Sequence, residues 1–213
     1  MLLRLLPALL VLAAATIRQT TPSSSPPSPE SNPIGFSYHL PDDWEIIGPK
    51  APSPEQQKRQ QQKVSSADEK RGIECLQVPL TARHGDPPTT IVIVSLPFAC
   101  YGQTLTDGDL PGFGSGASEG LKEAFDIASP IEASYPLASH KMWIERARAT
   151  PKGKSGPAYT VEIACTLLQK GVVCWMAQAA DENGLHIFES APVSLDGALA
   201  PALVPPETFL SQR

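Results

Sequence analysis

The four cysteines constrain this fold more than any other feature, because disulfides fix which segments lie side by side. Cys165 and Cys174 flank the turn Gln169-Lys170-Gly171, with an apolar run on each side of it. This arrangement predicts a β-hairpin, since glycine tolerates the left-handed backbone that tight turns require. A two-residue turn would place the two cysteines directly opposite each other, whereas a three-residue bulged turn would leave them diagonal.

The other two cysteines, Cys75 and Cys100, flank a second predicted hairpin. Its strands, 73–82 and 89–97, are joined by a turn rich in glycine and proline. Four cysteines allow three pairings, and this arrangement predicts Cys75–Cys100 and Cys165–Cys174. Such bonds close loops of about 10 to 25 residues and would each contribute about 2–3 kcal/mol of stability. The alternative is four buried thiols.

The remaining patterns predict an α+β domain built on an antiparallel sheet of about six strands flanked by helices. Alternating apolar residues indicate a strand at 34–40, and a short strand follows at 44–47. The β-branched run at 89–97 is typical of a central strand covered on both faces. Further strands are predicted at 141–149, 158–168 and 172–180. Residues 121, 124, 125 and 128 fall at helical spacing before Pro130, and another short helix is predicted near 183–189.

The first 33 residues predict export. Arg4 precedes an apolar stretch that ends in small residues at Ala15, which is the layout of a secretory signal and too short for a membrane span. Cleavage after Ala15 would leave a mature chain starting at Thr16, and the alternative is an uncleaved anchor. The sequence thus divides into a signal peptide (1–15), a disordered Pro/Ser-rich spacer (16–33), a single α+β domain (34–197) and an Ala/Pro-rich C-terminal tail (198–213). The polar segment 56–71 is predicted to be a solvated helix or locally disordered.

Charge and motifs argue against several functional classes. A net charge of −5 with scattered basic residues disfavours nucleic-acid binding. Asp107-x-Asp109-x-x-Gly112 resembles the start of a calcium loop, but Ser118 stands where the bidentate glutamate belongs, so a glycine-rich connection is expected. The histidines have no metal-ligand spacing, and the serine flanked by glycines is out of the G-x-S-x-G register. These residues are the histidines His39, His84, His140 and His186 and the serine Ser115. We therefore predict no catalytic, cofactor-binding or metal-binding residues and no cofactor. Trp44, Trp143 and Trp175 are expected to pack in the core rather than to line a groove.

Residues 34–44 have the sequence IGFSYHLPDDW, which resembles the opening strand of the PsbP-like family. The matching positions are Gly35, Phe36, Tyr38, Pro41 and Trp44. The family includes small exported bacterial proteins of the DcrB/LpqN type. The resemblance implies a PsbP-like sandwich, export, and accessory or binding roles. The chain departs from the family in lacking a lipoprotein cysteine and in carrying four others.

These observations predict a secreted or periplasmic, non-enzymatic domain that binds a partner protein or a small ligand. Nucleic-acid binding and stable membrane insertion of the mature chain are not expected. The alternative is a secreted hydrolase or a metal-dependent enzyme whose site is assembled from residues distant in sequence.

Overall fold

The computed structural model describes residues 34–48, 74–100, 105–153 and 156–212. The predicted signal peptide, the spacer and the polar segment 56–71 lie outside the described residues. The strands are β1 (Phe36–Tyr38), β2 (Glu45–Ile46), β3 (Gln77–His84), β4 (Thr89–Pro97), β5 (Phe125–Leu137), β6 (His140–Pro151), β7 (Tyr159–Leu168), β8 (Gly171–Ala179), β9 (Val193–Leu195) and β10 (Ala198–Ala200). The α-helices are α1 (Leu110–Leu121) and α2 (Glu182–Ser190), and 3-10 helices span Phe98–Cys100, Asp107–Asp109 and Pro206–Gln212.

The main element is a seven-stranded sheet in the order β2-β3-β4-β8-β7-β6-β5, in which every neighbouring pair is antiparallel. A second, three-stranded sheet has the order β1-β9-β10. The structure therefore confirms an α+β domain with an antiparallel sheet. The large sheet has seven strands rather than about six, and the fold is mostly β with few helices.

The central strands of the large sheet are buried on both faces. Helix α1 packs on one face, against β6 and β7, and we call this the α1 face. The small sheet, α2 and the C-terminal 3-10 helix (Pro206–Gln212) cover the other, which we call the small-sheet face. Because side chains alternate between faces, a strand buried on both sides needs mostly apolar residues, as β4, β7 and β8 have. The prediction that residues 89–97 form a central strand is confirmed.

The predicted helix through residues 121–128 is wrong. Helix α1 ends at Leu121, and β5 begins at Phe125 and contains Pro130. The strand accommodates this proline because it lies at the sheet edge and its pairing with β6 shifts register between Ala128 and Ile131. The helical spacing covered only eight residues, too few to separate a helix from a strand.

The run expected to be a glycine-rich connection is helix α1 itself. Glycine costs about 1 kcal/mol relative to alanine inside a helix, so tertiary packing must favour this segment. A Cβ atom at Gly114 would overlap the indole ring of Trp143. The missing side chain therefore lets the helix backbone lie directly against the indole on the α1 face.

The two predicted disulfides are present. Leu168 pairs with Gly171 across the β7–β8 hairpin, so the turn has two residues and Cys165 lies directly opposite Cys174. The Cα atoms of this pair are 4.1 Å apart, and those of Cys75 and Cys100 are 5.8 Å apart. The alternative of four free thiols is wrong.

The chain after Ser190 is more structured than its lack of periodicity indicated. Strand β9 pairs with β1 and with β10, and the C-terminal 3-10 helix contacts β5 and β6. Part of the segment 198–213, predicted as a tail, is therefore packed on the domain. The three-residue strands β9 and β10 are too short to be identified by a period of two, whereas the alternation around β1 extends over 34–40. The predicted helix near 183–189 is confirmed as α2, capped by Asp181, whose carboxylate accepts a hydrogen bond from Gly184 N at 2.8 Å.

Candidate functional site

A buried ionic cluster forms around Arg146 on the small-sheet face. Residues on one strand alternate between faces, so Arg146 lies on the same side of β6 as the buried Ile144. On the neighbouring strand β7, Glu162 is paired in register with Arg146. The Nε of Arg146 donates to Glu162 Oε2 at 2.6 Å, and Nη2 lies 2.5 Å from the same oxygen. The register of β6 and β7 thus places a guanidinium directly on a carboxylate.

Two further carboxylates reach the same guanidinium from other elements. Glu189, in the last turn of α2, accepts a hydrogen bond from Arg146 Nη2. Glu207, from the C-terminal 3-10 helix, places Oε2 at 3.0 Å from Nη1. One arginine therefore connects β6, β7, α2 and the C-terminal helix. We call Arg146, Glu162, Glu189 and Glu207 the Arg146 cluster.

Three carboxylates around one guanidinium cannot all ionise without cost. Glu162 is 0 % exposed, and its Oε1 has no hydrogen-bond partner among the described residues. Burial raises the pKa of Glu162 to about 8; Arg146 opposes this rise, and the charge of Glu189 adds to it. Burial also raises the pKa of Glu189. The cluster therefore takes up a proton more readily than free carboxylates do.

Two tyrosines border the cluster as neutral phenols. The Tyr38 hydroxyl donates to the Phe188 carbonyl oxygen at 3.0 Å, and the Tyr135 hydroxyl accepts from Val204 N at 3.0 Å. Burial raises the pKa of both phenols, that of Tyr135 to about 12, and the charge of Glu162 raises both further. The Tyr135 ring also stacks on Phe209 with centroids 5.0 Å apart. The Tyr135 contacts fix the C-terminal segment over the sheet, and the Tyr38 contact holds α2.

A cleft of about 350 Å³ opens beside the cluster. Its walls come from β5, β6, β7, the residue before β7 and the C-terminal 3-10 helix. The lining includes Ser129, Ile131, Arg148, Tyr159, Thr160 and Glu207, together with Arg146 itself. The volume falls at the lower end of small-molecule sites, which span roughly 300–1,000 Å³. This cleft is the candidate binding site.

A second buried carboxyl lies on the α1 face. The Ser118 hydroxyl of α1 donates to Glu145 Oε1 of β6, and both side chains are buried. Burial raises the pKa of Glu145, while the Ser118 hydrogen bond opposes that rise. This pair joins α1 to the sheet.

The disulfide cysteines, the only site residues predicted from the sequence, belong to the structure rather than to the cleft. Cys165 and Cys174 are buried in the core of the α1 face, across the sheet from the Arg146 cluster. Cys75 packs against the same core. Both disulfides therefore stabilise one side of the domain, and the cleft opens on the other.

Structural contacts are made by three other candidates from the sequence: Asp109, His84 and His140. Asp109 Oδ2 accepts from Thr106 N at 2.8 Å and from Thr106 Oγ1 at 2.9 Å, which caps the chain before α1. His84 pairs with Asp43 at 3.0 Å, and the imidazole of His140 lies 3.0 Å from the Leu167 carbonyl oxygen. Over the described ranges, no three His, Cys, Asp or Glu side chains are grouped as metal ligands. Within the same ranges, no helix has the length and apolarity needed to cross a membrane.

The prediction that the tryptophans pack in the core is confirmed. Trp44, Trp143 and Trp175 are all buried. Trp44 stacks on His84 with centroids 5.6 Å apart, and Trp175 packs against Phe36 with centroids 5.2 Å apart. None of the three lines the cleft described above.

The residues of the Arg146 cluster were not predicted from the sequence. They come from strands, a helix and the C-terminal segment, and no short motif joins them. One signal was available: Glu162 is the single charged residue in the mostly apolar strand β7. A glutamate at a position that the pattern marks as buried indicates a paired or perturbed carboxyl.

No family model matches this chain, and no curated protein matches it either. The residues of the PsbP-like motif at 34–44 have packing roles. Phe36 and Tyr38 lie on β1, and Tyr38 packs near Phe188 with centroids 6.4 Å apart. Gly35 has φ +92°, a conformation that favours glycine, and it lies against Asp196.

Proposed function

We propose that this chain is an exported, non-enzymatic binding domain that holds a small ligand in the cleft beside Arg146. One observation carries the proposal: a concave site in which charged, hydroxyl, aromatic and apolar side chains converge next to perturbed carboxyls. The resemblance to the PsbP-like family agrees with a binding or accessory role, and we propose kinship with that family on the wording of residues 34–44.

The cleft favours a small molecule over a partner protein. A protein that binds by strand addition needs an exposed, regular sheet edge. The edge strand β5 carries Pro130 and Pro136 and a register shift, features that hinder pairing with another chain. The concave site next to this edge is the better candidate for an occupant.

Export is supported by the two disulfides, because such bonds persist in oxidising compartments. The signal-like layout of residues 1–15 supports the same proposal. Expression of the full chain in an exporting host, followed by N-terminal sequencing, tests it. We expect the exported protein to begin at Thr16, and an intact N-terminus on protein retained in the cytoplasm would contradict export.

The second candidate is a secreted hydrolase or metal-dependent enzyme. It is favoured by the raised pKa values of Glu162 and Glu189, since perturbed carboxyls cluster at active sites. Against it, Glu162 is fully buried with Oε2 held by Arg146, so a substrate in the cleft does not reach that oxygen. A serine nucleophile also needs a base within hydrogen-bond reach, and the described lining supplies hydroxyls at Ser129 and Thr160 without a histidine.

A ligand screen by NMR tests the binding function. The disulfide-bonded protein is labelled with ¹⁵N and mixed in turn with sugars, amino acids, organic acids, nucleotides and divalent cations. We expect at least one compound class to shift the backbone amides of Ile131, Ala147 and Tyr159, which lie around the cleft. Turnover of a compound during the titration would favour the enzyme, and a screen with no shift at the cleft would overturn the binding proposal.

A further inference from the structure

The cleft carries an excess of negative charge at one end. Arg146 faces three carboxylates, so the cluster remains acidic even when one of them holds a proton. Glu207 connects this cluster to the cleft: its Oε2 is buried beside Arg146, while its side chain as a whole is 40 % exposed. A carboxylate is therefore presented to any occupant of the cleft.

A positive charge lies at Arg148, two residues after Arg146 on β6. Arg148 is exposed, lines the cleft, and is paired in register with the uncharged Thr160. Within the described ranges no carboxylate forms an ion pair with it. A planar guanidinium offers two parallel N–H donors to a carboxylate. Arg148 is thus suited to an anionic group supplied by a ligand.

We propose that the cleft binds a small zwitterion of the α-amino acid type, with its ammonium at Glu207 and its carboxylate at Arg148. This inference rests on the proposed function, because it names the ligand class of that same cleft. A molecule with one charge satisfies one end of the cleft and meets a like charge at the other. Ile131 and Ala158 add apolar surface, which favours an uncharged side chain.

The test compares three probes that share one apolar chain. L-Leucine has both charges, 4-methylpentanoate has only the carboxylate, and 3-methylbutylamine has only the ammonium. The other uncharged L-amino acids are titrated singly. We expect an amino acid to bind at the cleft in NMR titrations, and the single-charge analogues of leucine to bind at least about tenfold more weakly than leucine, the loss expected for one charge-assisted contact.

Two variants assign the charges to residues. Arg148→Gln and Glu207→Gln should each weaken amino-acid binding about tenfold or more. Lys170→Gln is the matched control, because Lys170 is an exposed cation in the β7–β8 turn, at the other end of β7 from Thr160. It should leave the affinity unchanged, and unchanged amide spectra of all three unbound variants would show that the fold is kept.

The outcomes separate this inference from the function on which it rests. Equal binding of 4-methylpentanoate and leucine would overturn the zwitterion and indicate a simple anion site. Binding of a sugar or nucleotide at the cleft, with no amino acid binding, would overturn the inference and leave the binding function standing. If no compound in the wider screen shifts the amides around the cleft, both this inference and the binding function are overturned.

Discussion

Arg146 and Glu162 lie directly opposite each other on β6 and β7, and their ion pair is buried with Glu162 at 0 % exposure. A buried ion pair gains little over apolar packing, but removing one partner leaves an uncompensated charge. Removing Arg146 should therefore destabilise the domain more than removing any one of the carboxylates. Arg146 serves three carboxylates, whereas each carboxylate is one of three partners of the same guanidinium.

The Arg146 cluster therefore predicts an asymmetric response to mutation. Arg146→Met should lower the free energy of unfolding by about 3–5 kcal/mol at pH 7, because the largely buried Glu189 carboxylate loses its cation and Glu162 loses its only described hydrogen-bond donor. Glu162→Gln should cost less, since Arg146 keeps Glu189 and Glu207. Urea denaturation monitored by tryptophan fluorescence measures both values. Arg148→Met, on the same strand but exposed, should stay within about 0.5 kcal/mol, and an equal loss in that control would contradict the argument.

The raised pKa of Glu162 predicts how stability depends on pH. Its folded pKa of about 8 lies above the ordinary value of 4.5, so the folded state binds more protons between these values. The contribution is fully present below about pH 4.5 and is lost as pH rises through about 8. The groups facing Glu162 are Arg146, Glu189, Glu207, Tyr38 and Tyr135.

Thermal melts from pH 5 to pH 9 measure this dependence. We expect the melting temperature to fall with rising pH in the natural chain, and to fall less steeply in Glu162→Gln, which cannot ionise at that position. The exposed Glu119→Gln variant serves as the control and should keep the slope of the natural chain. The same slope in all three proteins would show that Glu162 does not hold the proton.

The contact between Gly114 and Trp143 predicts a destabilising glycine-to-alanine change. Alanine is the better helix former by about 1 kcal/mol, but its Cβ would overlap the indole ring. Gly114→Ala should therefore cost about 1–3 kcal/mol through overpacking. A double-mutant cycle with Trp143→Leu should show favourable coupling between the two changes, because the smaller side chain makes room for the methyl group. Additive effects would mean that the two residues do not limit each other.

Features set by local patterns could be predicted from the sequence, whereas features that depend on long-range contacts could not. The β7–β8 hairpin and its disulfide could be predicted because a turn and two flanking cysteines lie within ten residues. Helix α1 could not, because its glycines indicate a loop until the contact between Gly114 and Trp143 is known. The Arg146 cluster joins residues 16 and 43 positions apart, so it depends on strand register and on the docking of α2.

The hydrogen bond from Val204 N to the Tyr135 hydroxyl predicts a local role for this side chain. Tyr135→Phe keeps the ring on Phe209 but removes the acceptor for a partly buried N–H group. We expect a loss of about 1 kcal/mol and faster hydrogen exchange at Val204. The exchange of Leu203, whose N–H donates to the Glu189 carbonyl oxygen at 2.9 Å, is the internal control. Unchanged exchange at Val204 would contradict a fixing role for the tyrosine.

The two disulfides should differ in their susceptibility to reduction. Cys165 and Cys174 are 0 % and 3 % exposed, whereas Cys75 and Cys100 are partly exposed, so a reductant reaches the second pair without unfolding the domain. Treatment of the folded protein with a phosphine reductant, followed by alkylation and peptide mass spectrometry, should label Cys75 and Cys100 first. Labelling of Cys165 and Cys174 should require denaturant. Simultaneous labelling of all four cysteines without denaturant would show that the domain opens globally before either bond is reduced.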